Sequence, residues 1–339
     1  MIKLAAKLTL LVSVLALGGC GDDDGPAPTS DGGWLVGEDG TMFRVDPEAG
    51  VVERYDLDRS LAGVDFYAIA CRGSDAAWVG GSGSTLLRTL DSGRTWETLD
   101  AIESGVTIRA IATAARDIVF AVGERASGGM MARSEDSGQT WNAIDAGASV
   151  PPFTDVTTTA DGSIALLTGL DGSIWRWDET SGLVMAIGGG TVALRSISIN
   201  ADGTRAVAVG DLGRALASDD GGRSWNAVPS ATTNDLFAVQ LAAITGDEAV
   251  AVGASGTFAR IRASDAARAT GVAAISESGL ADGRTLRAVH WSIDGHGLVV
   301  GDGGALLESY DNGATFDTLE THTGVTLTAV DHLGGEPHF

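Results

Sequence analysis

The chain has 339 residues, 45 of them acidic against 22 basic, for a formal charge of −23, and 48 are glycine. So acidic a chain repels nucleic acid and bare anionic bilayers, and no basic stretch contradicts that, so nucleic-acid partners are excluded. Short runs rich in Val, Ile, Thr and Trp, broken by Gly and Asp, predict an all-β protein of many short strands.

The first twenty residues stand apart. Lys3 and Lys7 precede an apolar stretch from Leu8 to Leu17 that is too short to span a bilayer as a helix. Residues 1–19 therefore read as a signal peptide ending at LGGC (17–20), which resembles the lipobox of bacterial lipoproteins. The resemblance implies cleavage before Cys20 and acylation of that residue; an ordinary cleaved signal peptide is the alternative. Residues 20–32, including GDDDGPAPTSD (21–31), read as an acidic flexible tether. The expected location is the bacterial cell envelope, held at the membrane by lipid, with periplasmic and surface orientations both open. Cleavage removes the only two lysines and takes the net charge to −25. Cys71, in the apolar run YAIACRG, then reads as a buried, inert thiol.

From residue 33 onward the sequence repeats. A small apolar run ending in Gly recurs as LVGEDG (35–40), WVGGSG (78–83), AVGERA (121–126), LTGLDG (167–172), AVGDLG (208–213), AVGASG (251–256) and VVGDGG (299–304). The spacing of about 41 to 48 residues suits a four-stranded propeller blade. The fifth unit shows the order: ALRSISI (193–199), RAVAVG (205–210), RALASD (214–219) and SWNAV (224–228), each alternating as a strand does. The first unit lacks its first strand, whereas VTLTAVDHL (325–333) supplies a spare one at the other end. The prediction is a single domain over 33–339, a seven-bladed β-propeller closed by the C-terminal strand pairing into the N-terminal blade.

A second string recurs in phase with the first: RTLDSGRTWETL (88–99), RSEDSGQTWNAI (133–144), ASDDGGRSWNAV (217–228) and ESYDNGATFDTL (308–319). It resembles the Asp-box, or BNR, repeat, through Asp91, Gly93 and Trp96; Asp136, Gly138 and Trp141; Asp220, Gly222 and Trp225; and Asp311, Gly313 and Phe316. The resemblance implies a structural turn between strands three and four at the blade rim. Degenerate versions occupy RWDETSGLV (176–184), RVDPEAGVV (44–52) and RIRASDAARATGV (260–272). The two repeats together resemble the photosystem II stability/assembly factor-like propellers, which implies a non-catalytic, protein- or peptide-binding module.

Strand direction places the two-to-three turns and four-to-one connectors on one face, the top. Aligned first strands read FYAI (66–69), IRAI (108–111), FTDV (153–156), LRSI (194–197), LFAV (236–239), LRAV (286–289) and LTAV (327–330). Their second position brings Arg109, Arg195 and Arg287 together with Tyr67 and Phe237, and the neighbouring turns add Glu38, Glu124, Asp171, Asp211 and Asp302. Either each Arg pairs with a turn carboxylate and staples adjacent blades, or the row receives a carboxylate or acidic segment of a partner. Asp-boxes also occur in sialidases, so a carbohydrate-active enzyme or glycan-binding propeller is the alternative reading. Only Tyr67 stands near the hub, however, and no Arg-Ile-Pro string occurs. The five histidines lack ligand spacing, so neither metal nor cofactor is expected, and the chain is expected to be monomeric.

Overall fold

A computed structural model describes residues 32–46, 51–115, 117–145, 147, 150–241, 248–262, 275–277, 279–292, 295–311 and 313–332. The expected signal peptide, Cys20 and nearly all of the expected tether lie outside these residues, as do parts of the degenerate boxes of blades 1 and 6. Seven four-stranded antiparallel sheets form the blades, and the helical segments among the described residues are short 3₁₀ turns. Blade 5 is typical: Leu194–Ile199, Ala206–Gly210, Ala215–Ser218 and Asn226–Ala227 run outward from the axis.

The ring closes as the sequence predicts. Leu327–His332 pairs antiparallel with Gly33–Gly37, matching Trp34 to Asp331 and Leu35 to Val330. The other inner strands are Phe66–Arg72, Thr107–Thr113, Phe153–Thr158, Leu194–Ile199, Leu236–Leu241 and Leu286–Trp291. Each packs on the inner strand of the next blade, and the seventh packs on the first. Alternating apolar side chains from facing sheets fill the spaces between blades, one buried cluster per interface. Leu35, Val45, Leu298, Val300, Leu327 and Val330 fill the interface that joins the two ends of the chain.

An inner strand has one edge without a strand partner, and its buried amides need acceptors. At four seams among the described residues, side chains of the preceding blade supply them. Asp155 Oδ2 accepts from Ile197 N (2.9 Å), Ser196 Oγ from Val239 N (3.1 Å), Ser198 Oγ from Leu241 N (3.1 Å), Gln240 Oε1 from Trp291 N (2.5 Å) and Asp331 Oδ2 from Cys71 N (2.7 Å). Burial pushes the Cys71 thiol well above its usual range, as an inert core cysteine requires.

The four boxes fold alike. In each, the first hydroxyl (Thr89, Ser134, Ser218 or Ser309) donates to the Asp and accepts from the Gly amide. The Asp also takes the amide and hydroxyl of Thr95, Thr140, Ser224 or Thr315. These bonds, led by the Thr140 hydroxyl, hold the Asp136 carboxyl at about 2. The box glycines have φ of +79° (Gly93), +82° (Gly138), +80° (Gly222) and +75° (Gly313) and press on the blade before. A Cβ on Gly93 would lie 2.1 Å from the Trp34 ring, and one on Gly222 would lie 2.4 Å from Leu166. Trp96, Trp141, Trp225 and Phe316 pack beneath their own turns against the apolar clusters between blades. The boxes fasten blades.

Deleting residues 325–339 should strip the closing interface of Leu327 and Val330 and unpair Gly33–Gly37. At about 1.5–3 kcal/mol for each of these two side chains, and about 2–4 °C per kcal/mol, the thermal midpoint should fall by at least about 6 °C. Calorimetry of the truncated chain checks this. Asp155 gives a second expectation. Its burial raises the carboxyl from 3.8 to about 6, so the folded chain holds a proton that the unfolded chain has lost. Relative to Asp155→Asn, the wild type should therefore lose about 2 kcal/mol of stability as pH rises from about 4 to about 7. Urea midpoints of both proteins at pH 4 and pH 7 test the sign.

Candidate functional site

The row of second positions has a structural cause. In every blade the pairing of inner strand to second strand slips by one residue, and the residue left unpaired is Tyr67, Arg109, Thr154, Arg195, Phe237, Arg287 or Thr328. These are β-bulges, which re-aim the extra side chain. The glycine of the Val-Gly run faces each bulge. At Gly210 φ is −170°, so conformation does not demand glycine there. Space does, because a Cβ would lie 2.0 Å from Ala193 O, and the same holds for Gly123 against Thr107 O and Gly253 against Asp235 O. In blade 2 the glycine at this place is Gly81, paired with Phe66, one residue beyond the glycine that the aligned WVGGSG string selects.

The turns and the row share a face, since turn amides donate to connector carbonyls, as Asp211 N does to Ala193 O (3.1 Å) and Asp302 N to Thr285 O (2.9 Å). The three arginines stand on blades 3, 5 and 7, and each meets the turn carboxylate of its own blade. Arg109 Nη2 lies 2.5 Å from Glu124 Oε1, and Arg195 and Arg287 form two-pronged pairs with Asp211 (2.8 and 3.0 Å) and Asp302 (2.8 and 3.2 Å). The staple expected between blades is thus, as an ion pair, made within one blade, because strand two carries its carboxylate directly beside the bulge. Contact between blades runs through the rings instead. The Arg109 guanidinium covers Tyr67 at 4.4 Å and the Arg287 guanidinium covers Phe237 at 4.8 Å. Threonine does the same work elsewhere, Thr154 Oγ1 donating to Leu194 O (2.9 Å) and Thr328 Oγ1 to Phe66 O (2.6 Å).

Side chains of Arg109, Arg195 and Arg287 remain 38, 34 and 37% exposed, so each ion pair leaves guanidinium edge open to solvent. The Asp211 carboxylate raises Arg195 above its ordinary value. Burial, then the neighbouring Asp65, raises Tyr67, which keeps it a neutral phenol rather than a nucleophilic phenolate. Glu38 and Asp171 fall in blades whose bulge is a threonine and so meet no bulge arginine. Both are exposed, and Asp171 caps its own turn by accepting from Ser173 N at 2.9 Å. Among the described residues no group of three or more His, Cys, Asp or Glu could hold a metal ion.

Two leucines escaped the sequence reading. Leu170 and Leu212, in the top turns of blades 4 and 5, are 43 and 68% exposed. Leu212 also has a φ of +57°, at a turn position that the other blades give to Asp39, Gly83, Ser255 and Gly303. Left-handed backbone costs an ordinary residue about 1–2 kcal/mol, and Leu212 gains no burial in return. Aligning the turns by their glycines would have exposed it as the odd residue. Asp235, on the next connector, accepts Leu212 N at 2.8 Å and fixes that turn beside Arg195.

No family model matches this chain, and no curated protein sequence does. Solved structures do. A structure of YCF48 bound to a D1 peptide aligns with a TM-score of 0.62 at 19% identity, covering 84% of this chain and 90% of that one. YCF48 from Cyanidioschyzon merolae aligns at 0.60 and 18%, over 77% of this chain and 86% of that one. The GH74 xyloglucanase from Xanthomonas campestris gives 0.59 at 16%, over 76% of this chain but 45% of that one. The shared feature at these identities is the β-propeller fold.

Proposed function

We propose that the protein is a non-catalytic binding propeller that presents its top face to a peptide segment of a protein partner, in the manner of an assembly factor. The observation that carries this is the bulge row: seven equivalent positions re-aimed at the mouth of the ring, three of them arginines left a third exposed. A half-neutralised guanidinium still has N–H groups to offer carbonyls and carboxylates, and Tyr67, Phe237, Leu170 and Leu212 add apolar contact nearby. The D1 peptide in the YCF48 structure supports a peptide as the kind of ligand. The xyloglucanase likeness keeps a glycan-active reading in play, but the turn acids Glu124, Asp211 and Asp302 are all tied to arginine, which suits structural pairing better than proton transfer. The lipobox-like LGGC and the acidic tether support an envelope location with a lipid anchor at Cys20.

Peptides selected from a displayed library of random twelve-residue sequences supply the test. Exchanging Arg109, Arg195 and Arg287 together for Ala should weaken the best binder by roughly a hundredfold or more with the fold retained by circular dichroism. Unchanged affinity, or release of sugar from a glycan panel by the wild type, would sink the reading. Leu212→Asn should raise the thermal midpoint by about 2 °C by relieving the left-handed backbone, yet weaken the same peptide; calorimetry and a binding titration read the two effects.

A further inference from the structure

The opposite face carries a second site. Two strand-three arginines reach across to grip the next blade's box: Arg88 Nη1 donates to Ser137 O at 2.7 Å, and Arg176 Nε to the equivalent Gly221 O at 3.1 Å. Arg133 stands in the same place on blade 3, but blade 4 has no box for it to hold. Seven residues separate strands three and four in a box blade, as between Thr89 and Glu97; only three separate Asp178 from Gly182. The Asp178 carboxylate, capping Thr180 N and Ser181 N, closes that short turn.

Shortening the turn vacates space. A cavity of about 790 Å³ opens there, within the range of small-molecule sites, lined by Arg133, Arg176, Arg223, Asp161, Asp178 and Glu179. The ring of Trp177 takes over the packing that a box would have given Phe120, with centroids 5.3 Å apart, and Arg133 lies over Trp177 at 5.2 Å. Arg133 turns its terminal nitrogens to Glu135 and Glu179, while its Nε is buried without a partner. A buried donor in that state favours a ligand bringing an acceptor oxygen, as the missing box carbonyl would have done.

The lining selects the ligand. Three guanidinium groups and three carboxylates balance, so a free anion meets as much repulsion as attraction, and a cation likewise. Two of the acids are held below the usual carboxylate range: Asp178, led by its bond to Arg176, sits at about 2, and Asp161 is lowered by Ser163. Fixed donors and fixed acceptors with hydroxyls from Ser163, Thr180 and Ser181 suit a molecule that donates and accepts all round. A single large aliphatic residue, Ile118, lines the wall, which leaves a peptide's apolar side chains little to pack on. We infer that this lower-face cavity binds a neutral, hydroxyl-rich saccharide unit, with an acetamido-type carbonyl placed to accept from Arg133.

Saturation-transfer NMR of the full chain with glucose, galactose, N-acetylglucosamine and its disaccharide tests this directly, with sulfate and acetate as competitors. The N-acetylated sugars should show transfer to the acetamido methyl. Arg223→Ala and Glu179→Ala, both at the open side, should each weaken binding about tenfold while the thermal midpoint holds. The triple exchange of Arg109, Arg195 and Arg287 should leave sugar binding untouched, which separates this site from the top face. Absence of transfer to any saccharide, binding by both variants as tight as the wild type's, or displacement by sulfate as readily as by sugar would each overturn the assignment.

Discussion

Every blade ends at the axis on a strand whose inner edge has no neighbouring strand, and at four seams among the described residues the blade before it meets that need. Aspartate, serine and glutamine side chains from one inner strand accept the amides of the next, from Asp331 on Cys71 N to Gln240 on Trp291 N. The bonds run in one direction around the ring, from blade 1 to 2, 4 to 5, 5 to 6 and 6 to 7. Asp155 is the extreme case, a half-buried carboxyl that accepts from Val156 N, Ser196 Oγ and Ile197 N and is raised by the burial around it. Removing any one partner leaves a buried amide or acid without compensation, which ties local chemistry to closure of the whole.

The two faces then solve different problems. On top, one bulged residue per blade is freed from the ladder, and its side chain is available for contact at the mouth of the ring. Where it is threonine it secures the next blade's carbonyl; where it is arginine it pairs with its own turn, and Arg109 and Arg287 also lean on the aromatic bulges of the preceding blades, Tyr67 and Phe237. Underneath, the boxes spend their polar atoms on their own turns and press glycine against the neighbouring blade. Repetition makes the exceptions informative. Leu212 is an apolar residue in a left-handed, solvent-facing position, and Arg133 is a box-gripping arginine with no box in front of it.

How much of this the sequence carried depends on range. Strand period, the Val-Gly runs, the four boxes and the spare C-terminal strand are local or periodic signals, so the blade count, the closure between residues 33 and 332 and the hydrogen-bonded box turns were legible in advance. The equivalence of Tyr67, Arg109, Arg195, Phe237 and Arg287 was legible too, because a bulge recurring at one register position leaves an aligned column. The sequence did not tell which carboxylate each arginine would meet. That choice rests on strand two returning beside the bulge, and the same geometry separated Glu38 and Asp171 from Glu124, Asp211 and Asp302. The cavity beside Arg133 was likewise out of reach, since it is formed by three consecutive blades and by a turn too short to fill the place a box would take. Periodic chemistry along the chain determined the ring; the distances across its seams, which no single repeat contains, decided where donors and acceptors were left for a ligand.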